Sequence, residues 1–302
     1  MEFFFSLAKL HTHAHGEFDV LDILLDAAVD TAKMIPFLFL AFLLMEFIEH
    51  KAGSKLEGLL KKTGGGRMSG SVIGAVLGCI PQCGFSVAAA NLYSGRLITM
   101  GTLAAVFLST SDEAVPVLLA HPDKIGMIWQ LIGLKVVIAA AAGILIDIVL
   151  RFIHFENDED PDYEELCSEC GCGEHSIWYS ALKHSLNITL FILIINVILG
   201  LVMGFVGEDA MADFLGKMGI FQPFVAGLVG LIPNCAASVL ITELYADGII
   251  SFGSALAGLS TGAGVGFAVL FRSNKNMKEN FVILGLVYFI GVVSGLICNA
   301  VV

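Results

Sequence analysis

Charged side chains are what this chain has least of: 15% of its 302 residues are Asp, Glu, Lys or Arg, against 57% hydrophobic, and the mean hydropathy is +0.85. So few charges cannot cover a soluble protein of this length, and an all-α integral membrane protein is expected. Six windows hold no charge, most of them as long as the roughly 20 residues an apolar helix needs to cross ~30 Å of hydrocarbon. They are Ser71 to Tyr93, Leu97 to Ser111, Ser185 to Gly207, Ile220 to Thr242, Ile249 to Phe271 and Phe281 to Val302. Met34 to His50 carries only Glu46 and Glu49, and Ile125 to Leu150 only Lys135 and Asp147. No polar stretch exceeds the segment after Arg151, so an extramembrane catalytic domain has no room and an enzyme is not expected. No G-x4-G-K-[ST] motif is present, which leaves an ion gradient or the membrane potential as the energy source. The net charge of −12 argues against nucleic acid as a partner. Met1 to Leu10 has an acid at position 2 and no basic start, unlike a cleavable signal peptide.

What the chain does have is an internal echo. A shift of 152 lays Gly78-Cys79-Ile80-Pro81-Gln82-Cys83 onto Gly230-Leu231-Ile232-Pro233-Asn234-Cys235, and the match runs on to Gly101 and Gly253 with 10 of 24 positions identical. After a one-residue gap, Leu108-Ser109-Thr110 meets Leu259-Ser260-Thr261. Pro, Cys, Tyr and polar pairs recurring in register are hard to obtain from biased composition alone. Two homologous membrane repeats are therefore expected, 19–150 and 177–302, after a His-containing tail, 1–18, and joined by an acidic Cys-rich loop, 151–176.

Each half is interrupted twice. Pro81 and Pro233 stand inside apolar runs, where proline lacks the N–H and clashes with the preceding turn, so the helix breaks or kinks. Unwound backbone survives at membrane depth only where protein or a watery cavity satisfies it. Matched breaks in two halves thus point to a substrate site between them, although a plain proline kink is the bland alternative. The second interruption is Ser109-Thr110-Ser111-Asp112-Glu113, matched by Ser260-Thr261-Gly262-Ala263-Gly264. Thr110 and Glu113 have capping-box spacing, so the acids could serve a helix N-terminus. Acids inside a bilayer cost a few kcal/mol each, which instead marks Asp112 and Glu113 as candidates for ion or proton coupling. Lys135 could pair with either of them, as a structural or a gating partner.

The basic loops at Lys51 to Arg67 and Arg272 to Lys278 belong in the cytoplasm by the positive-inside rule. Parallel halves put 10 loop bases inside and three outside; making each Pro-Cys segment a re-entrant pair of half-helices inverts the halves and improves the tally to 11 and two. Inverted repeats, with six full spans and two broken hairpins, are the expectation.

The stretch Ile80-Pro81-Gln82-Cys83-Gly84-Phe85-Ser86, with Asn91-Leu92-Tyr93, Gly101-Thr102-Leu103 and Ser109-Thr110-Ser111-Asp112-Glu113, resembles the family of ten-helix heavy-metal exporters, also described as arsenic efflux permeases and as manganese transporters. Pro36-Phe37-Leu38-Phe39-Leu40 with Glu46 and Glu49-His50-Lys51 resembles its first helix. The resemblance covers nearly the whole chain and implies a multi-pass permease of a prokaryotic inner membrane.

Two ligand chemistries remain open for the substrate. Cys83 and Cys235, with Cys79 nearby, would offer soft thiolates to a metalloid or heavy metal; Gln82, Asn234, Asp112, Glu113 and freed carbonyls would offer hard oxygen to manganese. Cysteine is also simply a small apolar residue in membranes. Candidate substrate-binding residues are Cys83, Cys235, Gln82, Asn234, Pro81, Pro233, Ser109, Thr110, Ser260 and Thr261. Two peripheral clusters could hold metal: Cys167, Cys170 and Cys172 with His175, and the tail His11, His13 and His15. A channel shares the broken helices; a membrane thiol oxidoreductase would have to use Cys79 and Cys83 without a flavin or quinone signature. No cofactor is expected. The expected partners are the metal or metalloid ion, a coupling proton and the bilayer, with a homo-oligomer open.

Overall fold

The computed structural model describes residues 66–80, 83–110, 114–119, 125–153, 177–206 and 208–301, with isolated positions between 24 and 43. Every element among them is helical: α1 (Gly66–Gly78), α2 (Cys83–Ser94), α3 (Met100–Ser109), α4 (Ala114–Leu119), α5 (Ile125–Ile153), α6 (Ile177–Val206), α7 (Glu208–Lys217), α8 (Gln222–Gly230), α9 (Cys235–Ala246), α10 (Phe252–Thr261), α11 (Gly266–Ser273) and α12 (Met277–Val301). Four stretches are long and apolar enough to cross a membrane: Gly126–Phe152, Ser185–Val202, Phe252–Ser273 and Met277–Val301. This is a multi-pass membrane protein.

Residue spacing decides which helix faces which medium. On α6, Leu182, Leu186, Leu190, Ile194, Ile198 and Val202 recur every four residues and are all exposed, while Ser185, Ile188, Ile192 and Asn196 are buried. An outward row of that kind in a water-soluble protein would aggregate; here it meets lipid tails. The Phe252–Ser273 stretch is the opposite case, with 83% of its apolar window buried inside the protein. It is also not one rod. Gly262 to Val265 divides it into α10 and α11, with Gly264 at φ 53°. The window from Leu97 to Ser111 likewise proves to be a ten-residue helix, α3, about 15 Å long at 1.5 Å per residue, followed by the six-residue α4. Neither α3 nor α10 can cross ~30 Å of hydrocarbon alone.

Short helices inside a membrane need close neighbours, and small residues provide them. Gly70, Gly74 and Gly78, one turn apart, lay α1 onto Thr102 and Val106 of α3. On the other side of α3, a Cβ at Gly143 of α5 would stand 2.6 Å from the Gly101 carbonyl oxygen, nearer than real Cβ atoms come. The N-termini of α3 and α10 are built alike. Thr99 caps α3 by accepting from Thr102 N (3.1 Å), and Ser251 caps α10 by accepting from Ser254 N (3.2 Å). Asp147 Oδ1 of α5 accepts from Gly101 N at 2.9 Å, and Asn299 Oδ1 of α12 accepts from Gly253 N at 3.0 Å, each pair 46 residues apart.

Contacts at the helix ends fix the relative direction of the two long helices. The turn between α2 and α3 carries Arg96, whose guanidinium grips Glu279 at the start of α12 (2.9 and 3.2 Å), while Thr99 in the same turn donates to Asp147 near the end of α5 (3.0 Å). At the opposite pole Tyr245 donates to Met127 Sδ at the start of α5 (3.0 Å), and the adjoining Gly253 meets Asn299 at the end of α12. The start of one long helix therefore lies beside the end of the other. Helices α5 and α12 run antiparallel.

The Gly101–Gly143 crossing is open to test. Gly143→Val should destabilise the protein by about 1–3 kcal/mol by overpacking, whereas Gly126→Ala, which meets nothing within 4 Å, should be neutral or slightly stabilising. Thermal unfolding of both variants in detergent checks this.

Candidate functional site

A helix that ends away from water leaves its last carbonyls unsatisfied, and α3 and α10 each end at a buried threonine. Helix α3 ends at Thr110, whose N–H and hydroxyl both return to the Val106 carbonyl (3.0 and 2.7 Å). Ser109 also donates to Val106 O, at 3.1 Å. The Thr110 hydroxyl thus closes α3. Helix α10 ends in the same manner: Thr261 donates to the carbonyls of Gly227 (2.8 Å) and Gly258 (2.9 Å). The Leu259 carbonyl loses its helical partner because Ala263 N–H turns to Thr261 O instead.

Lys135 takes up both ends. Its ammonium donates to the Thr110 carbonyl and, at 2.7 Å, to the Leu259 carbonyl. The side chain is 1% exposed. It lies ten residues into the 29-residue α5, about 15 Å along a helix of 1.5 Å rise. A helix C-terminus carries about half a negative charge, so both ends attract the ammonium. The structure thus gives Lys135 backbone partners that side-chain reasoning did not foresee. Its expected pairing with Asp112 or Glu113 lies outside the described residues.

Two further helices start after the Ile-Pro elements. Helix α9 starts at Cys235 after Pro233, with Asn234 as N-cap accepting from Ala236 N at 3.2 Å. Cys235 is buried in the core that also holds Val87, Phe107 and Phe267. Helix α2 starts at Cys83 and packs against α11: a Cβ at Gly266 would stand 2.8 Å from that of Ser86, and Phe107 meets Phe267 edge-on at 4.8 Å. The start of α2 therefore adjoins the break after α10, and α4, which follows the break after α3, packs on α9. Two helix N-termini and two C-termini are gathered into one polar region of an apolar protein. Within it Ser260 Oγ is fully buried and makes no hydrogen bond. A buried hydroxyl without a partner costs about 1–3 kcal/mol.

Several expected site residues fall elsewhere. Pro81, Gln82, Asp112 and Glu113, the side chain of Cys83, and both peripheral clusters (Cys167, Cys170, Cys172, His175; His11, His13, His15) lie outside the described residues. Among the described residues no group of three or more His, Cys, Asp or Glu is placed to hold a metal ion.

With this geometry in view, family comparison decides the class. The chain matches the family described as "Putative, 10TM heavy-metal exporter" over residues 19–213 and 188–302. It belongs to that family. The family is one of transporters rather than enzymes, and membership implies a metal-ion substrate handled within a membrane. No curated protein and no solved structure matches the chain.

One polar centre escaped the sequence reading. Asp147 is buried and accepts from Ser71 Oγ (3.0 Å), Thr99 Oγ1 (3.0 Å) and Gly101 N. The 152-residue offset, which maps Asp147 onto Asn299, was the available signal. Because Asn299 accepts the equivalent N–H as a neutral amide, Asp147→Asn should cost under about 1 kcal/mol, since the Ser71 and Thr99 hydroxyls can rotate to accept. Asp147→Leu strands three donors and should cost about 3 kcal/mol or more. Thermal unfolding of the two variants distinguishes geometry from bulk.

Proposed function

We propose that this member of the exporter family is a secondary transporter that moves a heavy metal or metalloid, of the arsenic type, out across the inner membrane, driven by an ion gradient. The observation that carries the proposal is the meeting of the ends of α3 and α10 on Lys135, ten residues into the long helix α5. Broken helices meeting at the midplane are how transporters expose backbone dipoles to a substrate while keeping the rest of the backbone satisfied.

The two halves are read as inverted repeats. Supporting this, α5 and α12 correspond under the 152-residue shift and run antiparallel. Residue pairs also exchange across the halves: Tyr93 donates to Glu279, while Tyr245 donates to Met127, each residue of the second pair being the 152-shifted mate of one in the first. Such reciprocity is what a two-fold axis produces, and an antiparallel pair puts that axis in the membrane plane. Alternating access then consists of one half rocking against the other about the region where the helix ends meet.

In this reading Cys83 and Cys235 bring thiolates from the two N-terminal ends, Ser260 supplies a hydroxyl, and Asp112 and Glu113 carry the coupling proton. Asn234 already spends its carbonyl oxygen on the α9 cap, which favours the thiolates over it as the recognising group. The double change Cys83→Ser with Cys235→Ser should abolish arsenite or soft-metal resistance, because Ser keeps the volume but offers no polarisable anion. If hard oxygen recognises manganese instead, that double change is mild and Gln82→Ala or Asn234→Ala is damaging. Flux into inverted membrane vesicles, with and without a pH gradient, tests substrate and coupling together. Replacing Asp112 by Asn and Glu113 by Gln should leave expression intact and abolish the gradient-driven component; undiminished flux would remove the acids from the mechanism.

A further inference from the structure

The arrangement around Lys135 is the one that a monovalent cation occupies elsewhere: carbonyls freed at half-helix C-termini, pointing at a positive charge in a dry interior. We propose that Lys135 is a built-in cation, its ammonium filling a monovalent-cation site formed by the carbonyls of Thr110 and Leu259, so that the transporter needs no sodium at this position. This rests on reading the broken-helix region as the transport site, but not on which metal is carried.

Three features carry the inference. Among the described residues the groups it meets are carbonyl oxygens, the chemistry that suits a hard cation or an ammonium and not a soft metal. The site lies where the halves meet, since Thr110 belongs to the same half as Lys135 and Leu259 to the other. And the charge appears once: the 152-shifted mate of Lys135 is Val287, fully buried among apolar neighbours, so one tethered cation serves both helix ends. A tethered ammonium needs no stripping of a hydration shell in each cycle and cannot be lost to solution. When the halves part, the bond to Leu259 is the one that breaks.

The test uses the purified full-length protein in detergent and in proteoliposomes. For the wild type, the unfolding midpoint should be the same in sodium, potassium or choline chloride, and flux at a fixed pH gradient should not change when choline replaces sodium. A sodium-specific rise in either would overturn the proposal, and this arm needs no variant to fold. Lys135→Ala should lower the midpoint by about 5 °C or more, the scale set by two lost buried hydrogen bonds. Ethylammonium chloride, which refills the site, should recover at least half of that loss relative to choline. A variant that no small cation stabilises would overturn the assignment. Because the midpoints are read without any metal substrate, an error in the proposed cargo leaves this result intact, and the reverse also holds.

Discussion

A backbone carbonyl that ends a helix inside hydrocarbon has no water to turn to, and every feature of this protein's interior follows from that debt. Two of the ends it creates, at Thr110 and Leu259, are taken up by one ammonium, that of Lys135. Remove that charge and both carbonyls lose a donor in a dry interior, where an unmet acceptor is costly. The same constraint explains the capped starts. Thr99, Ser251 and Asn234 each accept an amide of the first turn, so the helix N-termini are satisfied locally and only their field is presented outward.

Burying ten-residue helices requires that they be wrapped, and wrapping requires close approach. Van der Waals packing and interhelical hydrogen bonds have to substitute for a hydrophobic effect that lipid does not supply. Gly101 against Gly143, with Asp147 accepting the Gly101 N–H, meets both demands at one crossing, and Gly253, Gly295 and Asn299 meet them again in the other half. The long helices α5, α6 and α12 then form the lipid-facing wall, and their outward rows of Leu, Ile, Val and Phe are the counterpart of the polar centre they surround.

How much of this could be read from the sequence depended on whether the partner was a side chain. Pro81 and Pro233 announced the breaks because proline cannot continue a helix, and the α9 start at Cys235 lies directly after one of them. The 152-residue register pairs Thr99 with Ser251 and Gly101 with Gly253, and the starts of α3 and α10 are capped alike. Lys135 was visible as a charge in an apolar window, yet the partners described for it include backbone carbonyls, and carbonyls leave no mark in a sequence. Asp147 was hidden for a different cause. Its mate Asn299 differs in charge, so the pair does not register as a repeat until both are seen holding a glycine amide.

The two poles of the molecule are not chemically equal. At one pole Arg96 adopts φ 57°, a backbone conformation costly for a residue with a Cβ, where its 152-shifted mate is Gly248 at φ 75°. The return for that strain is a two-pronged grip on Glu279, joined by Tyr93 and Asn274. At the other pole the exchanged contact is only a phenol on a thioether, Tyr245 to Met127, a weak acceptor. A charged clasp holds one side while a neutral contact holds the other. Of these two exchanged contacts, the ionic one is therefore the one at the Arg96 pole.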